Sequence, residues 1–96
     1  MKPHNERIVC KDGFAISVQG SQFNYSEPRE DNPPNGYSQV ECGFPSSTPV
    51  TAALLEYAEC PDSTKYTETV YPYVPIEVVK AELEAHGGIV EGQLPH

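Results

Sequence analysis

Apolar and polar positions alternate with a period of two from Phe14 to Gln19, where Phe14, Ile16 and Val18 interleave with Ala15, Ser17 and Gln19. That alternation predicts a half-buried strand with Phe14, Ile16 and Val18 inward. The short apolar run Ile8–Cys10 precedes it, and Asp12–Gly13 lies between the two. Asp-Gly is a strong turn signal, so the segment predicts an N-terminal hairpin. Tyr37–Phe44 repeats the alternation, with Val40, Cys42 and Phe44 on one face and Gln39 and Glu41 on the other. Thr67–Val74 is rich in β-branched and aromatic residues, which suit a pleated, half-buried surface.

The period then changes. Ile76, Val79 and Leu83 follow at helical spacing and predict one apolar stripe. Pro75 presets φ for a first helical turn, where its missing N–H costs nothing. Glu77 falls in that turn, where a negative charge suits the helix dipole. Gly87 ends the helix at a position that favours a left-handed residue, and Ile89 is expected to fold back over the last turn. A shorter helix is predicted over Ala52–Ala58, capped by Thr48 or Thr51, with Leu54, Leu55 and Ala58 inward and Glu56 and Glu59 outward.

These elements predict a single small α+β domain over residues 1–96: a small antiparallel sheet of about four strands, packed by a C-terminal helix and one shorter helix. Polar tails are expected at 1–7 and 92–96, the first of them frayed. Residues 20–36 form a long loop carrying Pro28, Pro33, Pro34 and Asn35–Gly36. Connections of that length are usually functional or disordered, and Phe23 and Tyr25 are the expected anchors of this one. Ten prolines and seven glycines favour a loop-rich α+β domain over a helical bundle.

Charge sharpens the picture. The formal net charge is −8, and it is unevenly placed. Residues 1–40 hold five acids and four bases, whereas residues 41–96 hold nine acids and only Lys65 and Lys80. Such a half disfavours nucleic acid and anionic lipid, which need Lys and Arg. It favours a basic partner surface. No apolar stretch resembles a signal peptide or is long enough to span a bilayer, so a soluble, cytoplasmic protein is expected.

Chemistry-bearing residues are sparse. Cys10, Cys42 and Cys60 are odd in number and widely spaced, which predicts free thiols packed as small hydrophobes. A zinc site needs about four clustered ligands. His4, Cys10, Cys42, Cys60, His86 and His96 stand singly in the sequence, so no metal or cofactor is predicted. His86 reads as a cation or donor in the last helical turn, facing the carbonyl end of the dipole. Gly87–Gly88 follows a helix instead of opening one, so it is a cap and not a phosphate cradle. A non-enzymatic protein is therefore expected. The alternatives are a small Cys/His enzyme or metal protein built on Cys42, Cys60 and His86, or a self-assembling protein.

Two surfaces are candidates for contact. Glu77, Ala81, Glu84 and Ala85 lie opposite the apolar stripe of the last helix, with Lys80 and Glu82 flanking it. Glu56, Glu59, Asp62, Glu77, Glu82 and Glu84 together make a candidate acidic surface. Pro72 suggests that its strand is an edge or carries a bulge. Tyr71 and Tyr73 on that edge form a candidate contact site, unless one of them packs on the core.

The blocks IVCKDGFAISVQ, Tyr25 with Pro28–Arg29, YSQVECGFPS and TETVYPYVPIEVVKAELEAHGGI resemble small accessory proteins of tailed phages and prophages of proteobacteria. The resemblance covers about two thirds of the chain and carries no catalytic residues. It implies a phage accessory protein made in the cytoplasm of the host bacterial cell. By analogy, small acidic phage proteins of this kind include anti-CRISPR and anti-restriction inhibitors. The expected partner is then a host or defence-system protein with a basic nucleic-acid-binding surface.

Overall fold

The computed structural model describes residues 6–60 and 62–95. Most of the predicted 1–7 tail, Met1 to Asn5, and the last residue of the 92–96 tail lie outside the described residues. Five strands form one antiparallel sheet: β1 (Ile8–Cys10), β2 (Ala15–Gln19), β3 (Gln39–Gly43), β4 (Val70–Pro75) and β5 (Ile89–Glu91). Their spatial order is β4-β3-β2-β1-β5. Two helices, α1 (Ala52–Leu55) and α2 (Ile76–Ala85), accompany it, with a 3-10 turn at Ser63–Lys65. The α+β class therefore holds, with one strand more than the sequence pattern predicts. No helix among the described residues is long and apolar enough to cross a membrane.

The β1–β2 hairpin forms where Asp12–Gly13 predicts it, with Ile8 opposite Ile16 and Val9 opposite Ala15. Gly13 takes φ +96°, and its N–H closes the turn on the Cys10 carbonyl at 2.9 Å. Alternation sends Ile16 and Val18 of β2, and Val40 and Cys42 of β3, into the core. Phe44 breaks the expected face: its backbone turns left-handed at φ +51°, and the ring ends half exposed.

α2 determines the topology. It leaves β4 at one edge of the sheet and delivers β5 to the other. Ten helical residues span roughly 15 Å. Four inter-strand spacings span roughly 19 Å. The helix and the Gly pair after it therefore bridge the width of the sheet. Val79 and Leu83 seal the core beneath, together with Leu54 of α1. Thr51 is the cap of α1, accepting from Leu54 N–H at 3.3 Å. The end of α2 has the predicted glycine geometry. Gly87 N–H donates to Glu84 O and Gly88 N–H to Leu83 O, both at 3.0 Å, with φ of +92° and +89°.

Ile89 continues from this cap into β5. Cys10 pairs with Ile89 and Val9 with Glu91. The tails are more engaged than polar composition suggests. Arg7 Nη2 donates to Phe44 O at 2.6 Å, Leu94 packs on the core and Pro95 is buried.

β4 is an edge strand and carries a bulge, the two readings that Pro72 suggests. Cys42 pairs with Tyr71 and Val40 with Val74, so three steps on β4 oppose two on β3. Strict alternation would place Tyr71 and Tyr73 on one face. The bulge instead turns Tyr71 and Val74 inward, both fully buried, and leaves Tyr73 exposed at φ +52°.

The 20–36 loop is tied down mainly by polar contacts, and the aromatics expected to anchor it stay outside the core. Phe23 is 78% exposed and Tyr25 is 43% exposed. Ser26 is buried, its hydroxyl placed between the carbonyls of Ser21 at 3.3 Å and Pro28 at 3.1 Å. Tyr37 donates its hydroxyl to Glu30 O at 2.7 Å, and its ring lies flat on Gly20. A Cβ at Gly20 would sit 2.8 Å from Tyr37 Cζ. Gly20→Ala is therefore expected to displace Tyr37 and destabilise the fold by about 1–3 kcal/mol, read as a lower urea midpoint.

Candidate functional site

The residues singled out in the sequence divide between surface and core. Glu56, Glu59, Asp62, Glu77 and Glu84 are exposed, as are Glu68 and Glu91. None of these seven carboxylates is paired with a lysine, arginine or histidine among the described residues. Asp62 caps the 3-10 turn, accepting from Thr64 N–H at 2.9 Å and Thr64 Oγ1 at 2.8 Å, and these bonds hold its carboxyl below its ordinary range. Glu59 lies beside the β4 edge, its N–H donating to Val70 O at 2.9 Å.

Two of the predicted contact residues are internal. Tyr71 is fully buried, and its hydroxyl donates to Tyr66 O at 2.6 Å. Burial pushes its phenol up to about 12. The β4 bulge accounts for this correction. Glu82 is only 1% exposed, so it does not belong to the acidic surface. It sits between Val79 and Leu83 in the sequence, on the inner side of α2, where helical spacing alone marks it as a flank.

Glu82 is the centre of a buried polar network that the sequence reading missed. Its carboxylate accepts from Val50 N–H at 2.8 Å, Thr51 N–H at 3.0 Å, Thr51 Oγ1 at 2.7 Å and His86 Nε2 at 2.8 Å. The other ring nitrogen, His86 Nδ1, faces Asp12 Oδ2 at 2.7 Å. Phe14 stacks flat on the imidazole, with centroids 3.8 Å apart and planes 2° from parallel. The only sequence signal for this network was the helical i,i+4 spacing of Glu82 and His86. Asp12 joins it from 74 residues away.

The electrostatics follow from this geometry. Burial alone would pull the His86 imidazole down, but its bonds to Asp12 and Glu82 carry it above its ordinary value. Burial likewise pushes Glu82 up, and the Thr51, Val50 and His86 donors bring it net below its ordinary value. The Phe14 N–H and His86 hold Asp12 down. Both ring nitrogens face carboxylate oxygens, a geometry that favours the protonated imidazole, which can donate to both.

An open depression of about 290 Å³ borders this network, lined by Asp12, Gly13, Phe14, Ser46, Ser47 and His86. Serine, histidine and aspartate occur together there, but both imidazole nitrogens are committed, so neither is free to take a hydroxyl proton. Ser46 Oγ itself accepts from Ala15 N–H at 2.8 Å. Cys10 and Cys42 are buried, and burial pushes both thiols up. Cys60 is half-buried, its N–H donating to Thr69 Oγ1 at 3.1 Å. No group of three His, Cys, Asp or Glu side chains among the described residues is placed to hold a metal ion.

Glu82→Gln is expected to cost about 3 kcal/mol, because it leaves a buried imidazolium facing an amide. Chemical denaturation of the variant would read that loss. The pH dependence has two limbs. His86 is raised in the fold, so its contribution is complete below its ordinary 6.5 and is lost as pH rises through the folded value. Glu82 and Asp12 are lowered, so theirs are complete above 4.5 and 3.8 and are lost as pH falls through the folded values. Urea midpoints are expected to peak on the weakly acidic side of neutrality, and His86→Gln to remove the alkaline limb.

No protein-family model, curated protein or solved structure matches this chain.

Proposed function

We propose that this protein is a non-enzymatic inhibitor that binds a host or defence-system protein of CRISPR or restriction type through its acidic surface. On this reading it is a phage accessory protein acting in the bacterial cytoplasm, and it competes with nucleic acid for a basic groove. One observation carries the proposal: seven exposed carboxylates between Glu56 and Glu91 form no ion pair with a lysine, arginine or histidine among the described residues, while the same stretch holds only two lysines. Unneutralised charge of one sign raises the encounter rate with an oppositely charged surface and sets its salt dependence. The histidine network is consistent with the same reading, because its ionisable groups bond to one another and fasten the fold.

The test is a pull-down from a bacterial lysate containing defence complexes. The bait is the tagged protein, compared with a variant in which Glu56, Glu59, Asp62, Glu77 and Glu84 are all lysine. Glu82 stays unchanged, since it is internal. The wild type is expected to retain a basic nucleic-acid-binding protein at low salt and to lose most of it at high salt or on adding DNA. The five-lysine variant is expected to retain none. Equal capture by both proteins would sink the acidic-surface mechanism.

A further inference from the structure

The bulge in β4 has a partner on the long loop. Tyr73 N–H donates to Tyr25 O at 3.0 Å, which brings the two side chains together. Their rings lie 5.8 Å apart at 40°, and both are substantially exposed. Arg29 places its guanidinium carbon 5.4 Å from the Tyr25 centroid. Tyr73 carries no cation among the described residues. Tyr73 also holds φ +52°, a conformation that bulky side chains rarely adopt. Strain of this kind clusters at functional positions.

Two carboxylates flank Tyr25. Glu41 lies directly behind Tyr25, accepting from its N–H at 3.3 Å and from Asn24 Nδ2 at 3.0 Å. Glu27 is exposed two residues further along the loop. Arg29 already lies over the Tyr25 ring, and it shows how a guanidinium packs on this surface. Tyrosine and arginine are the residue types that most often anchor interfaces. Guanidinium groups stack on aromatic faces better than ammonium groups do.

We propose that Tyr25 and Tyr73 form an aromatic anchor that takes an arginine side chain of the basic protein partner, with Glu41 and Glu27 supplying the complementary charge. This rests on the reading of a basic partner given above. It adds a feature that net charge does not provide, a preference for arginine over lysine. The anchor lies where the loop crosses to the β4 edge, so the loop and the strand recognise the partner as one surface.

The experiment titrates the full chain with oligo-arginine and with oligo-lysine peptides of equal length, at low salt, by calorimetry. Oligo-arginine is expected to bind about fivefold tighter. The Tyr25→Ala/Tyr73→Ala double variant should bind both peptides alike, and Tyr25→Phe/Tyr73→Phe should keep the preference because it keeps the rings. The phenylalanine variant guards against a fold defect in the alanine one. Equal affinity of the wild type for the two peptides overturns the aromatic anchor and leaves the acidic surface standing. A phenylalanine variant that is folded but shows no preference also overturns the anchor. Failure of both peptides to bind overturns both proposals.

Discussion

The fold is fastened at one imidazole. His86 joins three parts of the chain that share no backbone ladder: the β1–β2 turn through Asp12, the body of α2 through Glu82, and through Glu82 the segment that starts α1. Each buried polar atom in the group finds a partner, as buried polar groups must. The backbone reinforces the side chains. Asp12 N–H donates to His86 O at 3.1 Å and Lys11 N–H to Gly88 O at 3.0 Å. The last turn of α2 is thus bonded to the hairpin turn through both main chain and side chain. A buried ion pair of this kind does not guarantee net stability over an apolar alternative. It does select one seating of α2, because a one-residue rotation would take the buried Glu82 carboxylate and His86 imidazole away from these partners.

That seating has consequences at both edges of the sheet. α2 starts at β4 and ends at β5, so fixing its C-terminal end against the β1–β2 turn places β5 beside β1. At the opposite edge the β4 bulge breaks the flat ladder that would invite another strand. The long loop and Glu59 cover part of what remains, through Tyr25 O and Glu59 N–H. The same bulge decides which tyrosine is structural and which is presented to solvent.

Much of this was legible in the sequence. Period-two runs located β2 and β3, the Asp-Gly pair located the first turn, and the Gly pair located the end of α2. Local chemistry fixed these elements, and local chemistry is what a sequence displays directly. β5 was missed because three residues give too short a pattern, and its pairing with β1 depends on where α2 delivers it. The sequence alone puts Glu82 on the surface, where a carboxylate beside an apolar stripe normally lies. Its burial became favourable only because Val50, Thr51 and His86 converge on it in space. Tyr71 and Tyr73 could not be told apart while the bulge was unplaced, since one inserted residue reverses the faces. Glu56 and Glu59 just after α1, and Glu77 and Glu84 on α2, are exposed as simple helical spacing predicts.

The pairing of β5 with β1 also bears on how the chain acquires its structure. Val9 finds its partner at Glu91, so the chain must be made through Glu91 before β1 has its second neighbour. During synthesis β1 and β2 can meet at once, whereas the far side of β1 stays open until α2 has emerged and crossed the sheet. Such long-range closure slows folding relative to local contacts. The slow step and the exposed nascent edge thus have the same origin, the position in the sequence of a helix that connects one margin of the sheet to the other.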